Sequence, residues 1–288
     1  AERIENIIAS YGHAVDVNAY TQEFRQWLHD GTEGYAWDVR QLVKYQRELI
    51  AQLEQAEIEA ERRWNLGNWR EFVGELAAGS ITLLLTDPPY GVEFQSDYKL
   101  DRREERNHAV IANDGDVSTA TGELSKMLGA FWPKLADNAH LLCFTHWSTE
   151  AETRQAIEGA GFTVRGSLIW AKNNTGMGDP NTTFAPEHER IIHAVKGSPM
   201  LFQREGDVLE YDRITSARHP NEKPVPLLKR LIEVTTVEGE LVADPFGGVA
   251  STLVAAQQSG REFWGCELDV NYHSIGRGRL ENRGERSS

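Results

Sequence analysis

A chain of 288 residues has room for one large α/β domain, or for a domain with an appendage. Its composition, 40% hydrophobic and 26% charged, is that of a globular protein, and no run of about 18 apolar residues offers a membrane-spanning helix. The formal net charge of −14 argues, taken alone, against a nucleic-acid partner, because phosphate binding draws on Lys and Arg and only a local field at a cleft can offset such a balance.

In chain order, the first 61 residues read as a helical extension with no strand-like run. Asp38 can cap a long helix that places Val39, Leu42, Val43, Leu49, Ile50, Leu53 and Ala56 on one face, and its far end, Glu54 to Arg63, is dense in charge. Packing on the main domain, dimerisation and partner binding all suit such a helix. The main domain is expected over 62–288, and from Trp64 the texture changes. Ile81-Thr82-Leu83-Leu84-Leu85 reads as a buried strand that ends in Asp87-Pro88-Pro89-Tyr90-Gly91. A long polar loop, Glu93 to Asp116, follows. Further strands are expected at 140–145, 164–171, 190–195, 240–244 and 262–267, with helices at 226–235 and 249–258. Strands alternating with helices imply a mostly parallel twisted sheet covered on both faces, a Rossmann-like α/β fold. Cys143 and Cys266 each lie in an apolar run and read as buried free thiols of a reducing compartment, so a cytoplasmic location is expected. Ala1-Glu2-Arg3-Ile4-Glu5 lacks the basic and apolar regions of a signal peptide. No Cys/His cluster has zinc spacing, and no metal is expected.

Two constellations carry chemistry. Asp244-Pro245-Phe246-Gly247-Gly248 stands at a strand-to-helix turn, where open α/β sheets bind ligands and where glycine lets the backbone come close. Glu267 ends the next strand, 23 residues after Asp244, at the offset suited to an acid that holds ribose hydroxyls. There is no glycine triplet to cradle a pyrophosphate, which favours a nucleoside without phosphates, and S-adenosylmethionine suits it. In Asp87-Pro88-Pro89-Tyr90, two prolines remove backbone donors and leave carbonyls free to accept. A carboxylate beside a carbonyl can take both hydrogens of an amino group, while an aromatic ring stacks on a planar base. Two acceptors favour a pyramidal nitrogen with a localised lone pair, help that grows toward the transition state.

Thr86-Asp87-Pro88-Pro89-Tyr90-Gly91 followed downstream by Ala243-Asp244-Pro245-Phe246-Gly247-Gly248 resembles the amino-group DNA methyltransferases, which methylate adenine N6 or cytosine N4. The order of the two motifs is that of the permuted beta class, and the likeness spans roughly residues 62–283. It implies Asp87, Pro88, Pro89 and Tyr90 as the catalytic tetrapeptide. For S-adenosylmethionine it implies Asn68, Asp87, His219, Lys223, Pro224, Asp244, Pro245, Phe246, Gly247, Gly248, Ser251, Thr252, Glu267 and Leu268. Glu187-His188-Glu189-Arg190 is similar to a motif on the target-base side. This chain departs from the pattern twice: Ala250 replaces a second glycine of the cofactor turn, which bears on close backbone approach, and Asn68 replaces a common Asp, which removes a charge from an adenine contact.

The target amine cannot align with a methyl donor inside a duplex, so base flipping is expected. By family habit, Asp at the first position of the tetrapeptide implies adenine N6, with cytosine N4, an RNA base, a protein amine or a non-catalytic DNA-binding subunit as alternatives. Lys99, Arg102, Arg103 and Arg106 in the polar loop, and Lys172 and Asn173 at a strand end, are the candidate DNA contacts, with 197–218 as a short recognition segment. A homodimer and a restriction or phage/host partner protein accord with the class.

Overall fold

The apolar runs lie side by side in the middle of one sheet. The computed structural model describes residues 63–89, 117–173, 184–214 and 221–281, together with 48, 50, 51, 182 and 217–219. The chain divides into two compact units, and the larger is Asn65–Arg277. The helical extension expected over 1–61 lies outside the described residues except for Glu48, Ile50 and Ala51, which are helical. The loop 93–116, with Lys99, Arg102, Arg103 and Arg106, also lies outside them, as does Tyr90.

The strands are β1 (Trp64–Leu66), β2 (Ile81–Thr86), β3 (Leu135–Thr145), β4 (Thr163–Ala171), β5 (His188–Lys196), β6 (Val208–Glu210), β7 (Leu241–Asp244) and β8 (Glu262–Glu267). They form a sheet of order β1-β8-β7-β2-β3-β5-β4-β6. The helices are α1 (Trp69–Phe72), α2 (Val117–Phe131), α3 (Glu150–Gly159), α4 (Val225–Thr235), α5 (Ser251–Gln258) and α6 (Val270–Glu281). β2 pairs in parallel with β3 and β7, and β7 with β8. β5 is antiparallel to both β3 and β4, while β4 and β6 are parallel. From β2 to β8, therefore, β5 alone runs against the rest. The sheet is mostly parallel, as the alternation of elements predicts, with helices on both faces.

Both faces are buried, which is why the central strands read as continuous apolar runs rather than alternating ones. Ile81 and Leu84 of β2, Leu141 and Cys143 of β3, Ala243 of β7, and Trp264 and Cys266 of β8 join one core with Leu124, Met127, Leu128 and Phe131 of α2. Phe131 meets Trp264 at 5.5 Å and Trp69 at 6.2 Å between ring centroids. Leu83 and Leu85, whose side chains point the other way along the strand, are equally buried. α4 buries Leu227, Leu228, Leu231 and Ile232, and packs with α5. Both cysteines are buried free thiols, and burial raises their pKa. Among the described residues no helix is long and apolar enough to cross a membrane.

β2 and β7 are the strands that place the site. Their continuations leave in opposite directions, β2 leading on to β3 and β7 to β8, so a crevice opens between their carboxyl ends. The reversed direction of β5 brings its first residues, His188 to Arg190, to that same edge, where Arg190 pairs with Thr145 at the end of β3.

Candidate active site

The crevice is a cavity of about 340 Å³, within the range of small-molecule sites. It is lined by both sequence constellations: Asp87, Pro88 and Pro89 after β2, and Asp244 to Gly248, Ser251, Thr252, Glu267 and Leu268 around β7, α5 and β8. Asn68, His219 and Lys223 complete the wall. Pro224 does not line it; it precedes the first turn of α4. Lys172 and Asn173, just past the end of β4, do not line it.

The wall is tied together by its own polar groups. Thr86 Oγ1 donates to Asp244 Oδ1 at 3.0 Å, joining the ends of β2 and β7. The backbone N–H of Phe246 donates to the same oxygen at 3.1 Å and fixes the turn. Burial pushes the Asp244 carboxyl up to about 6, against the hydrogen bonds from Thr252, Phe246 and Thr86. Glu267 accepts from the N–H groups of Gly248 and Asp269, each at 2.8 Å. Burial raises its pKa too, ahead of those opposing bonds. Two acids whose burial disfavours their charge, facing one cavity, suit a ligand with hydroxyl donors and a positive centre. Gly248 has φ +54° in this turn. Ala250 follows at φ +62° and ψ +28°, fully buried, so the position the family gives to glycine is here a left-handed backbone.

Asn68 caps α1. Its Oδ1 accepts from the Arg70 N–H at 3.1 Å, and Glu71 accepts from the Asn68 N–H at 3.1 Å. Asn serves this cap as well as Asp does, which gives the departure at 68 a structural reason. His219 packs edge-on against Tyr272 at 4.4 Å, and its Nδ1 accepts from the Asn221 N–H at 3.1 Å. Burial lowers its pKa, the nearby Asp87 opposing.

Asp87 does not stand alone. Its Oδ2 lies 2.6 Å from Lys223 Nζ, which lies 3.1 Å from Glu189 Oε2, and Glu189 Oε1 lies 2.6 Å from Lys172 Nζ. Burial works against charge on Glu189, but Lys223 and Lys172 prevail and bring its carboxyl down to about 2. Burial likewise opposes the Lys223 charge, and Asp87 and Glu189 outweigh it, holding its pKa above the ordinary value. Asn173 Nδ2 donates to Asp212 Oδ1.

Several lining residues carry no local signal in the sequence. Tyr272 sits on α6, Arg70 and Glu123 form an ion pair between α1 and α2, and Asp269 follows Glu267 by two residues. Arg70, two residues after Asn68, and Asp269 adjoin residues of the motifs. The rest reach the cavity through tertiary packing.

A model of the DNA methylase family, covering N6 and N4 enzymes, matches residues 81–277. The chain belongs to that family. Among relatives of this methylase is YubD of Escherichia coli (strain K12), whose name goes no further than methylase. It is 33% identical over 219 residues, covering 76% of this chain and 89% of the relative. YhdJ of the same organism, named a DNA adenine methyltransferase, is 28% identical over 230 residues, covering 72% and 78%. The solved M1.HpyAVI–SAM complex has a TM-score of 0.58 at 19% identity, covering 75% of this chain and 98% of that one, a likeness of fold.

Proposed function

We propose that this DNA methylase transfers a methyl group from S-adenosylmethionine to adenine N6 of a flipped base. The observation that carries the reading is that Asp87-Pro88-Pro89 and the Asp244–Glu267 unit, far apart in sequence, wall one cavity. Glu267 and Asp244 would hold the cofactor, with Asn68, His219, Phe246, Gly247, Gly248, Ser251, Thr252 and Leu268 around it. The sulfonium supplies a methyl group that is already activated, so positioning is the protein's main task. Asp87 and the Pro88 carbonyl accept the two amino hydrogens, orient the lone pair and exclude water from the nitrogen's far side. Tyr90 stacks on the flipped ring. The sulfur leaves as the neutral thioether of S-adenosylhomocysteine, and the methylated nitrogen gives up one hydrogen as a proton; Asp87, which accepts that hydrogen and lies beside the Lys223 ammonium, passes it on to solvent.

Adenine follows from Asp at the first position of the tetrapeptide, and YhdJ, named for adenine, supports it. The family also holds cytosine-N4 enzymes, which defines the rival. We further propose that Lys99, Arg102, Arg103 and Arg106 contact phosphates. Lys172 and Asn173 are both engaged, with Glu189 and Asp212, and of the strand-end pair the exposed Asn173 is the better placed to meet DNA. Residues 197–218 contribute recognition, and the helical extension contributes to a homodimer or a restriction-partner contact. DNA treated with the protein and labelled cofactor, then digested to nucleosides, should carry its label in N6-methyladenine. Label in N4-methylcytosine, or none in DNA, would contradict the assignment.

A further inference from the structure

Lys223 lines the cavity, but its ammonium group is turned onto carboxylates. Its side chain is 8% exposed, and its ammonium group sits 2.6 Å from Asp87 Oδ2 and 3.1 Å from Glu189 Oε2. The Phe144 ring lies 4.9 Å away on a further side. Glu189 is pinned in turn by Lys172 at 2.6 Å, and Lys172 itself rests over the Trp170 ring at 4.9 Å. Negative and positive charges therefore alternate from Asp87 through Lys223 and Glu189 to Lys172. Four segments supply them: the end of β2, the approach to α4, the start of β5 and the end of β4. Glu189 reaches this place only because β5 runs antiparallel.

The physical consequence concerns direction. A lysine has three N–H donors, and two here are committed to partly buried carboxylates. Turning the ammonium toward a cofactor would give up both short contacts at once, leaving Glu189 with Lys172 and removing from Asp87 the cation that lies 2.6 Å from it, which is costly in a partly desolvated site. Resting on the reading of Asp87 given above, we propose that Lys223 is a positioning residue for the Asp87 carboxylate, anchored by Glu189, and is not a cofactor ligand. Lys223 holds the Asp87 carboxyl group turned so that its acceptor oxygen meets the target amine. Glu189 and Lys172 carry that constraint to the β4–β5 side of the sheet.

The test compares the wild-type enzyme with K223M, K223R, E189Q and the K223M/E189Q double variant, measuring single-turnover methyl transfer to DNA and S-adenosylmethionine affinity by calorimetry. K223M should lose about 100-fold in rate, the scale of a misplaced reacting group, with cofactor affinity within about threefold of wild type. K223R should recover part of the loss, because it restores a cation to both carboxylates. E189Q should lose about tenfold, and the double variant should be no slower than K223M, since the two act as one unit. A K223M variant whose cofactor affinity falls as far as its rate would make Lys223 a cofactor ligand and overturn the proposal. So would an unchanged rate in K223M, or losses in the two single variants that multiply in the double. E189Q guards against the case in which K223M does not fold, because it retains the lysine. A wild-type enzyme that binds the cofactor yet methylates no DNA would overturn the reading of Asp87 itself, and the proposal with it.

Discussion

At the turn into α5, Ala250 takes a backbone conformation that favours glycine. Its φ of +62° costs an alanine about 1–2 kcal/mol. It is held there by its N–H donating to Gly247 O at 2.8 Å, and its own carbonyl accepts from Val254 at 2.9 Å. Glycine would release the strain, at the expense of about 0.4–1 kcal/mol of unfolded-chain entropy and about 0.8 kcal/mol for a buried methyl group. These nearly cancel, so A250G should leave stability within about 1 kcal/mol of wild type in denaturant titration. A250V should lower it by more than about 2 kcal/mol, since a β-branched residue adds crowding to the same dihedral. A large loss in A250G would contradict this balance. The sequence marks Ala250 as a departure from the family pattern but assigns the glycine to ligand approach. A dihedral angle set by the surrounding turn is not written in residue type. Asn68 has the same history: its place was legible, and its work as a helix cap depends on the Arg70 and Glu71 geometry.

At the scale of elements, β3 and β5 carry a histidine pair that ties the sheet to the segment after β5. His140 Nε2 lies 3.3 Å from the Met200 carbonyl, so it carries the proton and donates, leaving Nδ1 to accept from His193 Nε2 at 3.0 Å. Burial lowers both pKa values, and it brings His193 to about 4, with His140 and Arg165 adding to the effect. The unfolded chain, with ordinary histidines near 6.5, therefore binds more protons than the folded one between pH 6.5 and 4. Stability from this pair is fully present above pH 6.5 and is lost as pH falls toward 4. The melting temperature of H193Q, which keeps a donor for His140, should fall less across that window than that of wild type; equal slopes would contradict this origin of the pH dependence. Asp244 titrates there with opposite sign, but equally in both proteins. The runs that became β2, β3, β7 and β8 were legible because both their faces are apolar. α2 was not: Val117-Ser118-Thr119-Ala120-Thr121-Gly122 is a poor helical start, and its burial comes from Leu124, Met127, Leu128 and Phe131 packing on the sheet. The reversal of β5 was equally hidden, since direction leaves no trace in a strand's composition.

For the whole molecule the open tension is between a net charge of −14 and a polyanionic substrate. On the proposed reading, the compensating field comes from Lys99, Arg102, Arg103 and Arg106. Replacing all four with alanine should weaken DNA binding and flatten its salt dependence, by about 0.9 in log–log slope for each phosphate no longer neutralised. Cofactor affinity should stay unchanged, and an unaltered slope would move the DNA surface elsewhere. Charge counting alone pointed away from DNA, whereas the two motifs pointed to it. The family match sides with the motifs, and β2 and β7, lying side by side, put residues some 157 apart into one cavity, a fact that no average over the chain contains. The central claim is that this cavity divides its duties, with the Asp244–Glu267 side holding the cofactor and Asp87 serving the amine. The most direct test is D87A, with methyl transfer to DNA and S-adenosylmethionine binding measured on the same preparation. Transfer should fall by at least about 100-fold, the scale of one lost transition-state acceptor, while the cofactor still binds within a few-fold of wild type. Transfer that survives in D87A, or cofactor binding that vanishes with it, would contradict the division.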